Sequence, residues 1–216
     1  MRYFVVFFFA FEIILYFCEL KIGKITIMSS QNNLLKAILK SEKTVFTTQS
    51  LALLGGMSDT SRLSGQMHYY VKQGEVRNPR RGIYTKAQYD EKEMACAVFV
   101  PSYISMEYVL QRAGVTFQYD DTITVVSYLN RSIDIDGKTY SFRQIKPELW
   151  YTFDGITLEK RYAIATAERA FLDMLYLSSG DCYFDNIHPL NRDLVMQLLP
   201  YYQSKVLTER VKALLK

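Results

Sequence analysis

The residues best equipped for chemistry in this chain are guanidinium and hydroxyl donors, and most of them fall in one stretch. Residues 47–85 read TTQSLALLGGMSDTSRLSGQMHYYVKQGEVRNPRRGIYT. Arg62, Arg77, Arg80 and Arg81 carry planar forks that match a phosphate or the edge of a guanine. Ser58, Thr60, Ser61, Gln66, Tyr69 and Lys72 add further donors, and no carboxylate stands between Asp59 and Glu75. Donors without competing acids suit a polyanion, with Arg62, Ser61 and Gln66 placed for base edges and Arg77, Arg80 and Arg81 for phosphates or a minor groove.

The acids and other reactive side chains offer less. Glu168 and Asp173 lie five apart, so on a helix they face different directions and cannot share a metal; capping and surface pairing explain them. Asp120, Asp121, Asp134 and Asp136 fit loops and a hairpin turn, and His188 before Pro189 has no nucleophile close in sequence. The chain contains no GxxxxGK[ST], HExxH or GxSxG. Cys18, Cys96 and Cys182 are odd in number and far apart, which gives neither a disulfide framework nor a zinc site and fits a reducing, cytoplasmic setting. No catalytic residue, metal or cofactor is expected, and the chain is read as a protein other than an enzyme.

The donors need elements to hold them. Ser58 or Asp59 is placed to cap a helix running to Gln73, with Leu63, Met67, Tyr70 and Val71 on one apolar stripe. Ser61, Arg62, Gly65, His68, Tyr69 and Lys72 form the opposite stripe, where Gly65 allows a backbone to come close. Gly74 ends that helix. Glu75, Val76 and Arg77 are expected to form a strand, residues 78–82 a turn stiffened by Pro79, and Ile83, Tyr84 and Thr85 the return strand, with Ile83 or Tyr84 folding back on the helices. Upstream, residues 33–40 form a short helix with Leu34, Leu35, Ile38 and Leu39 inward. Phe46 then docks, and Thr47 or Thr48 caps a helix carrying Leu51, Ala52 and Leu54. Helix, Gly-Gly turn, helix and ribbon make an N-terminal winged helix-turn-helix, an arrangement whose usual partner is duplex DNA.

Beyond a boundary at 86–91 the pattern is mixed. Asp90 and Glu93 are spaced as a capping box for a helix ending before Pro101, and Ser105 is placed to cap a second one closed by Gly114. Strands are expected at 122–127, 132–135 and 138–144, with a tight turn at Asp136-Gly137, and a second hairpin at 149–153 and 156–158 around Asp154-Gly155. Thr166 caps a helix with Ala167, Ala170, Phe171, Met174 and Leu175 on one face, and two amphipathic helices split near Pro200 complete the tail. The fold class is α+β: a winged helix-turn-helix at 28–86 and a C-terminal mixed α/β domain at 87–216.

Charge follows this division. Residues 28–86 hold nine basic and three acidic side chains, a local +6, whereas 87–216 hold fourteen against seventeen, a local −3. Within the first 27 residues an apolar run from Tyr3 to Phe17 is broken by Glu12, is short for a membrane span and is followed by no small-residue cleavage site. The preferred reading is a mis-assigned start with translation beginning at Met28; an anchor or signal and a core helix are the alternatives. No membrane partner is expected.

Three blocks together resemble the AbiEi-type antitoxins: the ribbon ending RRGIYT, then PSYISMEYVLQRAG, then IATAERAFLDMLYL. That family comprises predicted transcriptional regulators of type IV toxin–antitoxin pairs, and the resemblance runs from about residue 33 to the end. It implies a repressor that binds inverted repeats in its own operon. It also implies a C-terminal domain that counters a nucleotidyltransferase-like toxin without a stable complex. Ala167-Glu168-Arg169 departs from the Pro-Glu-Lys common in the family, a mild change in a helix. The −3 of residues 87–216 argues against DNA contact there. The expected partners are double-stranded DNA and a second copy of the chain as a homodimer on it. The readings from other classes are a free-standing winged-helix regulator and a nuclease-like or transferase-like enzyme delivered to DNA.

Overall fold

A computed structural model describes residues 33–178 and 182–215, so the readings of residues 1–27 lie outside the described residues. Helix α1 (Asn33–Lys40) buries Leu34 and Ile38, one turn apart. Leu39, expected inward, is 51% exposed because it lies about 100° round the helix from Ile38. Strand β1 (Val45–Thr47) leads into α2 (Thr48–Gly55) through a reciprocal cap. The Thr47 hydroxyl accepts from the Ser50 amide at 3.1 Å, and the Thr47 amide donates to the Ser50 hydroxyl at 2.9 Å. Gly56 (φ +59°) ends α2.

For α3 (Thr60–Lys72) the cap is Asp59, whose carboxylate accepts from the amides of Ser61 and Arg62 at 2.8 and 3.2 Å. Leu63, Met67 and Tyr70 are buried on its apolar side. The helix closes at Gly74 (φ +75°), with the Gly74 amide on the Val71 carbonyl and the Glu75 amide on that of Tyr70.

The ribbon departs from expectation. Strand β2 is Arg77–Arg80, not 75–77, and β3 is Ile83–Thr85, so the turn is the pair Arg81-Gly82 rather than 78–82. Pro79 lies within β2, tolerated because β2 is the edge of a sheet ordered β1-β3-β2. Arg77 pairs with Thr85 and Arg80 with Ile83, three residues against two, which is a bulge. The Asn78 amide group closes it, donating to the carbonyls of Arg80 (3.0 Å) and Ile83 (2.8 Å).

Residue alternation gives this small sheet two covered faces. Phe46 and Tyr84 pack with the helices around Leu51, Leu63 and Met67. Val45 and Ile83 belong instead to the larger core formed by the rest of the chain. Of the two candidates for folding back on the helices, Tyr84 does so and Ile83 does not.

The second sheet has six strands in the order β6-β7-β5-β4-β9-β8. Its members are β4 (Ser102–Ile104), β5 (Ile123–Ser127), β6 (Arg131–Ile135), β7 (Lys138–Gln144), β8 (Ile156–Leu158) and β9 (Ala163–Ala165). The β4–β9 and β5–β7 pairs are parallel and the others antiparallel. Central β5 is buried at every position. The β6–β7 turn is Asp136-Gly137 as expected, with φ of +53° and +80°.

Around the sheet lie α4 (Glu91–Val98), α5 (Glu107–Arg112), α6 (Ala167–Leu177), α7 (Arg192–Leu198) and α8 (Lys205–Leu214). The described residues are therefore mixed α+β with two sheets. Among the described residues no helix is long and apolar enough to cross a membrane.

Three local expectations fail for one reason, long-range hydrogen bonding. Glu93 does not complete a capping box; it accepts from the Thr44 amide (2.9 Å) and hydroxyl (2.7 Å). Ser105 does not cap α5, whose preceding residue Met106 makes no side-chain cap; the buried Ser105 hydroxyl donates to Asp173 at 2.8 Å. Residues 149–153 form no hairpin strand, for β8 pairs with β9. The carbonyls of Leu149, Thr152 and Asp154 turn instead to the Arg169 guanidinium, at 3.3, 3.4 and 3.4 Å.

Candidate nucleic-acid interface

The expected donors on α3 and in the loop just before it face outward. Ser58, Thr60, Ser61, Arg62, Gly65, His68, Tyr69 and Lys72 are all exposed. Gln66 is half-buried, and its side-chain amide donates to the Tyr70 hydroxyl at 2.7 Å. The Tyr69 ring, 58% exposed, is tilted against that of Tyr70 with centroids 6.0 Å apart. Asp59, the acid closest to this face in sequence, has its carboxylate turned to the helix amides, where it complements the positive end of the helix dipole.

The ribbon arginines divide. Arg81 is exposed at the turn, and the neighbouring Gly82 carbonyl accepts from the Thr48 amide (3.0 Å) and hydroxyl (3.2 Å), which ties the turn to the start of α2. Arg77 reaches Asp136 at the β6–β7 turn, Nη2 to Oδ2 at 2.9 Å. The Arg80 guanidinium lies 5.8 Å from the Phe99 ring centroid, within cation–π range. Register explains the split. Arg77 and Arg80 pair with Thr85 and Ile83, whose side chains share the sheet face packed on the larger unit. Without the bulge, residues three apart would point to opposite faces. Arg62 and Arg81 thus stay solvent-exposed, whereas Arg77 and Arg80 are drawn to Asp136 and Phe99.

Sequence reasoning passed over a buried charge cluster. Arg169 and Asp173, one turn apart on α6, are both fully buried and paired at 3.3 Å. Asp173 also accepts from the hydroxyls of Tyr103 (3.0 Å), Ser105 (2.8 Å) and Tyr202 (2.6 Å). Burial pushes the Asp173 carboxyl above the ordinary carboxylate range against the pull of Arg169. Burial and the Asp173 charge hold Tyr103 and Tyr202 well above 10. The surface pairing expected of Asp173 is therefore corrected to a core network. The i, i+4 spacing of Arg169 and Asp173 was the available signal, but nothing local marks that turn of helix as enclosed on all sides.

The remaining acids serve the fold. Glu168 accepts from the Asn191 amide, Asp120 from that of Thr122, and Asp134 from the Thr139 hydroxyl, while Asp121 pairs with Lys138. His188 is exposed, and its amide donates to Asn186. Among the described residues no group of three or more His, Cys, Asp and Glu side chains could hold a metal ion. Cys96 and Cys182 are free, and burial pushes the Cys96 thiol up to about 12. No family model and no curated protein matches this chain.

Proposed function

We propose that the chain is a DNA-binding transcriptional regulator whose residues 33–85 form a winged helix-turn-helix, with α3 entering the major groove. The observation that carries this reading is the element order α1-β1-α2-α3-β2-β3 with its sheet ordered β1-β3-β2, joined to an acid-free exposed face on α3. Arg62 reads a base edge, with Ser58, Thr60 and Ser61 at the helix start on phosphate or base oxygens. Gly65 gives close approach, Gln66 and Tyr69 flank it, and Lys72 and Arg81 neutralise phosphates. Two copies bind an inverted repeat in the cytoplasm and repress the chain's own operon by occupancy. The antitoxin role against a nucleotidyltransferase-like toxin, exerted without a stable complex, is supported by the resemblance to AbiEi-type antitoxins.

Gel-shift titration on the DNA upstream of the chain's own reading frame tests the regulator. Arg62→Ala should cost about 1–3 kcal/mol on that DNA and flatten the preference for it over unrelated duplex. Arg81→Ala should weaken all sequences alike and lower the slope of log K against log salt by about one. Equal affinity for upstream and unrelated DNA, or an Arg62→Ala variant that binds like the parent, would sink the assignment. The antitoxin half is tested separately by co-expression with a neighbouring nucleotidyltransferase-like reading frame. Growth that is not restored removes that half and leaves the regulator.

A further inference from the structure

We propose that Asp136 holds Arg77 as an internal stand-in for a phosphate, so that a duplex engages this part of the ribbon by displacing a carboxylate of the second sheet. The inference rests on the DNA-binding reading above. Its basis is the placement of the two side chains. Arg77 starts β2 at the sheet edge, and the bulge keeps it on the face turned toward the larger unit. Asp136 sits at the tip of the β6–β7 turn, and its carboxylate meets the Arg77 guanidinium there at 2.9 Å. Tyr89 donates its hydroxyl to the same Oδ2 at 3.0 Å, and burial together with this bond raises that hydroxyl to about 12, so it stays a donor at any ordinary pH.

The pair is built to be exchanged. The Arg77 and Asp136 side chains are 47% and 32% exposed, so water and salt reach both and the attraction is weak. A phosphate offers a guanidinium the same two-oxygen edge that a carboxylate does. Exchange would not require the units to part, because Val45 and Ile83 stay in the larger core and Thr44 stays bonded to Glu93. Only the Arg77 side chain has to swing. An arginine already neutralised in the free protein releases no net counterion on binding, since the freed carboxylate takes one up.

The test uses the full chain and a labelled mixed-sequence duplex of about 30 base pairs, titrated by fluorescence anisotropy across salt. Asp136→Asn keeps the turn, since asparagine is favoured at the first position of such a pair. It should bind about three- to tenfold more tightly at low salt, with a slope of log K against log salt steeper by about one. Adding Arg77→Ala to Asp136→Asn should abolish the gain. If the parent binds and Asp136→Asn matches it in affinity and slope, the exchange is refuted and the DNA reading stands. A gain that survives Arg77→Ala is a general charge effect and also refutes it. If neither protein binds duplex, both readings fall together.

Discussion

Arg169→Met is expected to lower the free energy of unfolding by about 3–5 kcal/mol, measured by urea denaturation at neutral pH. The substitution preserves much of the stem's volume but removes the charge opposite Asp173, which has no exposure of its own. It also strips donors from the carbonyls of Leu149, Thr152 and Asp154. The hydroxyls of Tyr103, Ser105 and Tyr202 still serve the carboxylate, which places the loss nearer the lower end.

The defect should depend on pH with a definite sign. Burial already raises the Asp173 carboxyl, and losing Arg169 raises it further. Protonation then removes the penalty below the ordinary carboxylate range, and the variant loses stability as pH climbs through the higher folded-state value. A deficit constant between acid and neutral pH would show that the charge is not the cause. Arg169→Met combined with Asp173→Leu should cost less than the sum of the two single changes.

Gly155→Ala should be nearly as damaging, at about 2–5 kcal/mol in the same assay. Two effects add. Gly155 has φ +76°, where a side chain is strained, and a Cβ there would lie 2.9 Å from both the Arg169 Cβ and the Leu198 Cδ1. The Arg169 Cβ is fixed to the α6 backbone and cannot yield like the end of a flexible chain. Gly74 separates the two contributions, having φ +75° but open space around its added Cβ. Gly74→Ala should therefore cost about 1–2 kcal/mol, the conformational part alone. Equal losses at the two glycines would mean that the close packing at Gly155 contributes nothing.

What the sequence made legible were elements whose signal is periodic and local. The stripe Leu63, Met67, Tyr70 located α3, Thr166 and the apolar face after it located α6, and Asp136-Gly137 located a hairpin. The three-residue strands β4 and β9 carry too few positions to show a period, and both were missed. Ser105 looked like a cap because serine before a helix often is one. Its partner stands 68 residues later, so no window around it could reveal the bond. On the candidate interface the outward stripe of α3 was readable from spacing alone. The fate of Arg77 and Arg80 was not, because one extra residue in β2 decides which way both point.

That ribbon has a practical consequence for dissecting the molecule. Strands β1 and β3 are the floor of one core through Phe46 and Tyr84 and the roof of another through Val45 and Ile83. Cutting the chain after Lys86 would strip the roof bare, leaving a greasy underside beside an open sheet edge, a recipe for clumping. A soluble fragment for testing the proposed DNA binding would need polar replacements at Val45 and Ile83 before its behaviour could speak for the intact chain.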